Sequence, residues 1–349
     1  MKRIERIGFV GCGIMGAPIA RHLMGAGFQV TVTTRTPEKA RALLDAGARW
    51  ADTPAAACEG AQAVFTMVGM PEDIEDVYLG PDGLLSAAEP GTFLVDLTTS
   101  RPELARELSE AAAAMDVTAF DCPVTGGQEG AEAGTLTLIA GATEAQAAPL
   151  LGALEAFSSR IFWFGRPGAG QAAKLCNQVS LAGAMAGACE AVAFARAQGL
   201  PVGEVCEMVG SGMGATRALE TFAPKMEEGD WKPGFKVRHM AKDLGLAVEA
   251  ADDEGLALPG TETVRALYRT LAGMGGADLG TQALEVLYEE EADAAAAGLD
   301  WSHAALDDDD DHDGCCGGHR HGEGHDGRCG GHHHHGHDGC GCSEEGHGH

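Results

Sequence analysis

The chain has 349 residues, 45% of them hydrophobic, enough length and apolar content for two domains with their own cores. Its 24 lysines and arginines against 52 aspartates and glutamates leave a net charge of −28, a surface that repels phosphate backbones, so nucleic acid is not an expected partner. Residues 1–6 carry no charged stretch leading into an apolar one, and no uninterrupted apolar run reaches the roughly 18 residues of a bilayer span, so neither a secretory signal nor a membrane is expected and the expected location is cytoplasmic.

In chain order, Ile7–Val10 reads as a strand, Met15–Gly25 as a helix, Val30–Thr34 as a strand and Pro37–Asp45 as a helix. Ala63–Val68 and Thr92–Leu97 are again strand-like, and the helical Pro102–Met115 follows the second. Val117–Asp121 and Thr135–Ala140 look like further strands. Strands alternating with helices imply a parallel sheet covered on both faces. After Gly168 the strand signal fades. Ala172–Gln198 reads as one long helix, and the chain stays helical in character to about Leu299, broken at Gly199-Leu200-Pro201 and Trp231-Lys232-Pro233-Gly234. The expected fold is an α/β Rossmann domain (1–167), then an all-α domain (168–300), then an acidic, histidine- and cysteine-rich tail (301–349) expected to be disordered. The cleft between two such domains is a favoured ligand site.

Gly11-Cys12-Gly13-Ile14-Met15-Gly16 has the G-x-G-x-x-G spacing. In a chain of 51 glycines the spacing alone says little, but here it follows a strand and opens a helix, the context in which such a turn holds a dinucleotide. Gly11 permits the tight turn, Gly13 lets the backbone approach the pyrophosphate, and Gly16 lets the helix lie close to the sheet. An NAD site usually has an acid at the end of the second strand, to hold the ribose hydroxyls. This chain has Thr33-Thr34-Arg35-Thr36 there and no acid before Glu38. Arg35 with Thr34 and Thr36 would attract a 2′-phosphate, so NADP(H) is the expected cofactor and NAD(H) the alternative; a solvated surface arginine is the bland reading of Arg35.

Three more segments carry chemistry. In Asp121-Cys122-Pro123-Val124-Thr125-Gly126-Gly127, a hydroxyl followed by two glycines at a strand end exposes backbone N–H groups beside a side-chain donor, which suits a small carboxylate, although a plain turn between strands would look the same. Lys174, Asn177 and Gln178 stand at i, i+3 and i+4, hence on one helical face near the domain junction. A lysine among alanine, leucine and cysteine there is a candidate for a lowered pKa and for proton transfer; the alternative is a lysine whose stem is buried and whose head reaches water. Lys242-Asp243-Leu244-Gly245-Leu246-Ala247 is a charged pair opening an apolar helix, or a surface pair at a helix start.

With these motifs in order, together with Asp96-Leu97-Thr98-Thr99, the sequence resembles the β-hydroxyacid dehydrogenase family over roughly residues 5–298, a Rossmann domain joined to a helical domain like that of 6-phosphogluconate dehydrogenase. The resemblance implies hydride transfer between a nicotinamide cofactor and a small carboxylated aldehyde or hydroxy acid, with succinic semialdehyde or glyoxylate the favoured substrates. It implies Lys174 as general acid and base, and Thr125, Gly126 and Gly127 on the substrate carboxylate. Asn177 and Gln178 would orient substrate and lysine, Met70 and Thr99 would line the cofactor site, and Lys242 would sit by the nicotinamide half, steadied by Asp243. An NAD-dependent 3-hydroxyisobutyrate-type dehydrogenase is the alternative on the same scaffold, and a homo-oligomer is expected. The family more often has serine at the position of Thr125 and asparagine at that of Gln178; both departures bear on the choice of substrate.

Of the eleven cysteines, Cys12, Cys58, Cys122, Cys176, Cys189 and Cys206 are scattered through apolar sequence and read as reduced core thiols. The rest fall in the tail, which follows five consecutive aspartates, Asp307–Asp311. Its candidate metal ligands are His319, His321, His325, Cys329, His332, His333, His334, His335, His337, Cys340 and Cys342, good donors for zinc or nickel but irregularly spaced, unlike one folded zinc finger. A solvated tail or a purification tag are the plain alternatives. A metal-sequestering protein on a non-catalytic Rossmann scaffold is the competing reading of another class, and Lys174 weighs against it, since a scaffold has no use for a proton donor.

Overall fold

A computed structural model describes residues 4–289, 294–295 and 297–300. The tail and all its candidate metal ligands lie outside the described residues.

Six strands form a parallel sheet in the order β3-β2-β1-β4-β5-β6: β1 (Arg6–Val10), β2 (Gln29–Thr33), β3 (Arg49–Trp50), β4 (Ala63–Thr66), β5 (Phe93–Asp96) and β6 (Thr118–Asp121). Their near-continuous apolar sequence follows from burial on both faces. On one face α1 (Gly16–Gly25) lays Ile19 and Leu23 over Ile7, Phe9 and Val32. Two short helices follow β2 and β3, α2 (Arg41–Asp45) and α3 (Pro54–Cys58). On the other face α4 (Pro71–Leu79) and α5 (Pro102–Ala113) pack Ile74, Tyr78, Leu104 and Leu108 against Val10, Val64 and Leu94. Each such buried leucine or valine contributes about 1.5–3 kcal/mol relative to exposure.

A second, smaller sheet carries the chain toward the helical half. Here β7 (Val124–Thr125) leads into α6 (Gly127–Ala133) and pairs antiparallel with β8 (Leu136–Ala140). Two one-turn helices, α7 (Glu144–Ala147) and α8 (Leu151–Leu154), precede β9 (Ser158–Trp163), which runs parallel to β8. From there α9 (Ala169–Ala197) runs 29 residues as the axis of a helical core with α10 (Val202–Gly210), α11 (Arg217–Glu228), α12 (Val237–Asp253) and α13 (Pro259–Gly273). By length and composition α9 could cross a membrane, but Met185, Cys189 and Val192 on it are buried against Met226, Leu244 and Tyr268, as befits a core helix.

The Rossmann domain followed by a helical domain agrees with the sequence reading, with differences of detail. Met15 is the N-cap of α1 rather than its first residue, and Pro37–Asp45 divides into a 3₁₀ turn over Pro37–Ala40 and the short α2. The long helix begins three residues earlier than read from the sequence, at Ala169. Thr281–Tyr288 is 3₁₀ rather than α-helical. Strands β3, β7 and β9 and helices α3, α4, α6, α7 and α8 are additions; β9 sits at a sheet edge with much of its surface in water, so it lacks the apolar alternation that marks a strand. Cys12, Cys58, Cys122 and Cys189 are buried thiols as read, but Cys176 falls on the outward face of α9 and is exposed, and Cys206 is half-buried.

Candidate active site

The glycine turn extends from the end of β1. Gly11 has φ +98°, and a Cβ there would lie 2.1 Å from the Met67 carbonyl oxygen. A Cβ at Gly16 would lie 1.9 Å from the Gly11 carbonyl oxygen, so only glycine lets α1 start this close to the turn. Gly13 faces open space, with no atom within 4 Å of the position a Cβ would take. No side chain caps α1 and no acid lies in its first turn, so its leading N–H groups suit an anion. These features fit a dinucleotide pyrophosphate. Cys12 is buried, with its thiol pushed up to about 11 by desolvation, and offers the turn only its backbone; Ile14 is exposed and Met15 half-buried.

Beside the turn, Thr34 is half-buried and Arg35 and Thr36 are exposed. Arg35 forms a two-pronged ion pair with Asp73 in the first turn of α4, Nη1 to Oδ1 at 2.5 Å and Nη2 to Oδ2 at 3.1 Å. Met70 precedes α4 with an exposed side chain, and its N–H donates to Asp73 Oδ2 at 3.2 Å.

On the far side, β6 and α9 are tied by a carboxylate. Asp121, at the end of β6, accepts the N–H groups of Gly168 (2.8 Å) and Gln171 (2.7 Å) and so caps α9 from outside the helix. Burial raises its pKa in spite of those bonds. Gln171, fully buried, donates to Thr98 O (2.7 Å) and accepts Ser100 N–H (2.9 Å), fastening the loop after β5 to α9. Asp96 accepts Thr98 N–H at 2.9 Å and, chiefly through burial, has its pKa pushed up to about 7. This brace sets Thr99 beside α12, where Lys242 Nζ donates to Thr99 O at 2.7 Å.

One turn along α9 from Gln171 comes Lys174, buried in the same face as Gln178. Burial lowers its pKa to about 8; the Asp243 carboxylate works against that shift and the Lys242 ammonium with it. No hydrogen bond or ion pair holds the Lys174 ammonium among the described residues, which leaves its protons for a ligand. Asn177 Nδ2 donates to Gln178 Oε1 (2.9 Å), and Gln178 Nε2 donates to Asp243 Oδ2 (2.6 Å). Asp243 is buried, and its Oδ1 lies 3.1 Å from Lys242 Nζ without an aligned hydrogen bond. Lys242 and Asp243 are therefore not a surface pair at a helix start: α12 begins at Val237, and both point inward in its second turn.

Thr125 is half-buried at the end of β7, while Gly126 caps α6 and Gly127 opens it, both exposed. The turn thus leads from strand to helix rather than between strands. Among the described residues it makes no hydrogen bond to Lys174, but its strand β7 pairs with β8, and β8 contacts α9, the helix that carries Lys174.

Asp96 and Asp121 open two of the motifs read from the sequence, but that reading gives no role to them, to Asp73 or to Gln171. Gln171 had a local signal, three residues before Lys174 on one face. Asp73 and Asp121 act across long loops, which no spacing rule reports, whereas Asp96 bonds only two residues on, to the Thr98 N–H.

Residues 6–165 match the NAD-binding domain of 6-phosphogluconate dehydrogenase, and residues 168–288 match the NAD-binding domain of NADP-dependent 3-hydroxyisobutyrate dehydrogenase. The 3-hydroxyisobutyrate dehydrogenase of Pseudomonas aeruginosa is 37% identical over 85% of this chain and 96% of its own length. The NAD-dependent L-serine dehydrogenase of the same organism is 37% identical over 82% of this chain and 98% of its own. Among solved structures, Mycobacterium tuberculosis 3-hydroxyisobutyrate dehydrogenase with L-serine superposes with a TM-score of 0.76 at 31% identity, covering 82% of this chain and all of that one.

Proposed function

The chain belongs to the β-hydroxyacid dehydrogenase family as an NAD(P)-dependent oxidoreductase, and from that membership we propose that it interconverts a short carboxylated semialdehyde and its hydroxy acid with NADP(H). The observation that carries this reading is Lys174, an amine buried at the domain junction, with a lowered pKa and no hydrogen-bond or ion-pair partner for its protons among the described residues.

The nicotinamide supplies or takes the hydride. In the reducing direction the Lys174 ammonium gives a proton to the substrate oxygen; in the oxidising direction its free amine takes the hydroxyl proton. Asn177 and Gln178 hold the substrate beside Lys174, and Gln178 is itself held by Asp243. Thr125 and the N–H groups of Gly126 and Gly127 receive the substrate carboxylate. Lys242, anchored on Thr99 O, stands on the cofactor side of Lys174, and Met70 and Thr99 line the cofactor cleft. Arg35, with Thr34 and Thr36, favours the 2′-phosphate of NADP(H).

Succinic semialdehyde and glyoxylate remain the favoured substrates of this reading. A second one, NAD-linked oxidation of a 3-hydroxy acid, draws support from the pairing of Arg35 with Asp73 and from the relative named an NAD-dependent L-serine dehydrogenase. A panel of short semialdehydes and 3-hydroxy acids, each assayed with NADPH and NADH, separates the two. The largest kcat/KM is expected for a semialdehyde with NADPH. A largest value for L-serine or 3-hydroxyisobutyrate with NAD would replace the first reading by the second.

A further inference from the structure

In the sheet β1 lies between β2 and β4, so the glycine turn leaves the edge flanked by the segments that carry Arg35 and Asp73. The Arg35–Asp73 ion pair therefore closes across the end of β1, over the crevice into which the turn opens. Its two halves differ in freedom. The Arg35 side chain is 81% exposed and has no other partner among the described residues. The Asp73 side chain is only 17% exposed and is pinned by a second bond, accepting the Met70 N–H at the start of α4. When a ligand enters, the arginine can move and the carboxylate stays.

We infer that Asp73 is a specificity-determining residue that competes with the cofactor 2′-phosphate for Arg35 and so narrows the preference for NADP(H) over NAD(H). A phosphate held by Arg35 sits within the width of one guanidinium from a fixed carboxylate, and the two negative charges repel. A cofactor with a free 2′-hydroxyl leaves the pair intact and meets no such cost. The acid that NAD enzymes place at the end of β2 is here supplied from α4, opposite an arginine suited to NADP, so one cleft carries both selectivity elements. This inference rests on the reading of Arg35 as the 2′-phosphate ligand.

The test measures dissociation constants for NADPH and NADH on the full chain, by cofactor fluorescence, for the parent protein, Asp73→Asn, Arg35→Ala and the double variant. Asparagine keeps an oxygen for the Met70 N–H, so the start of α4 is retained, and unchanged NADH affinity reports an intact site. Asp73→Asn is expected to tighten NADPH about fivefold, the scale of a partly exposed charge pair, and to leave NADH within about twofold. The gain should be smaller on the Arg35→Ala background, where competition for the guanidinium is gone and only repulsion remains, and it should shrink at high salt. If Asp73→Asn leaves NADPH affinity unchanged or weakens NADH while Arg35→Ala weakens NADPH, the role of Asp73 is overturned and the reading of Arg35 stands. If Arg35→Ala binds NADPH as tightly as the parent, the reading of Arg35 falls, and the role of Asp73 falls with it.

Discussion

At the Arg35 end of the candidate site one charged group stands on a connecting segment, just past Thr34, and the other in the first turn of α4, and the arginine is largely in water. At the Lys174 end the lysine and its amide and charged neighbours project from two long helices, α9 and α12, and Lys174, Gln178 and Asp243 are buried. Under the proposed function, the contrast follows from what each end would do. Proton transfer needs a group held within a fraction of an ångström and kept from bulk water, so that its pKa can be moved, and packed helices provide both. Choosing between two cofactors needs only the presence or absence of one charge, which a loop can supply and which can change without disturbing a core.

Substitution at the buried end should therefore act on the reaction, and at the exposed end on binding. The largest effect is expected from Lys174→Ala, a fall in kcat on the order of 10²–10⁴-fold with NADPH affinity retained, checked by steady-state kinetics beside cofactor titration. Next comes Arg35→Asp. It should lower the NADPH-to-NADH ratio of kcat/KM by about tenfold or more, through loss of a charge-assisted contact, while kcat with NADH is kept. A fall in kcat with both cofactors would mean that the two ends are not separate in function.

Smaller and directional effects are expected from the neighbours of Lys174. Asp243 raises the lysine pKa and Lys242 lowers it. Asp243→Asn should thus move the inflection of the pH–rate profile to lower pH, and Lys242→Met should move it higher. Shifts in the same direction would show that repacking, not charge, governs the site. Removal of residues 302–349 should have the least effect, leaving kcat within about twofold, because every group placed at either end of the cleft precedes residue 290.

What was legible in the sequence was local. The turn at Gly11, Gly13 and Gly16 announces itself because three glycines and their strand–helix setting lie within a few residues. Lys174, Asn177 and Gln178 could be grouped because helical spacing alone sets them close together. The supporting contacts could not be read this way. Asp73 meets Arg35 across 38 positions, Asp121 meets Gly168 across 47, and Lys242 meets Thr99 across 143. Such pairs exist only once the sheet order and the packing of α9 and α12 are known. Asp121 looks in sequence like a strand-end acid beside a glycine turn, and only its reach to the start of α9 shows that it joins the two halves.

The most direct test of the buried lysine is the pH dependence of single-turnover hydride transfer, followed by nicotinamide absorbance in both directions. A lysine lowered to about pH 8 by burial is protonated below that value and free above it. Reduction should then hold steady at lower pH and fall through about 8, oxidation should rise through the same point, and both inflections should be absent from Lys174→Ala. Flat profiles, or inflections that persist in Lys174→Ala, would contradict proton transfer by this residue.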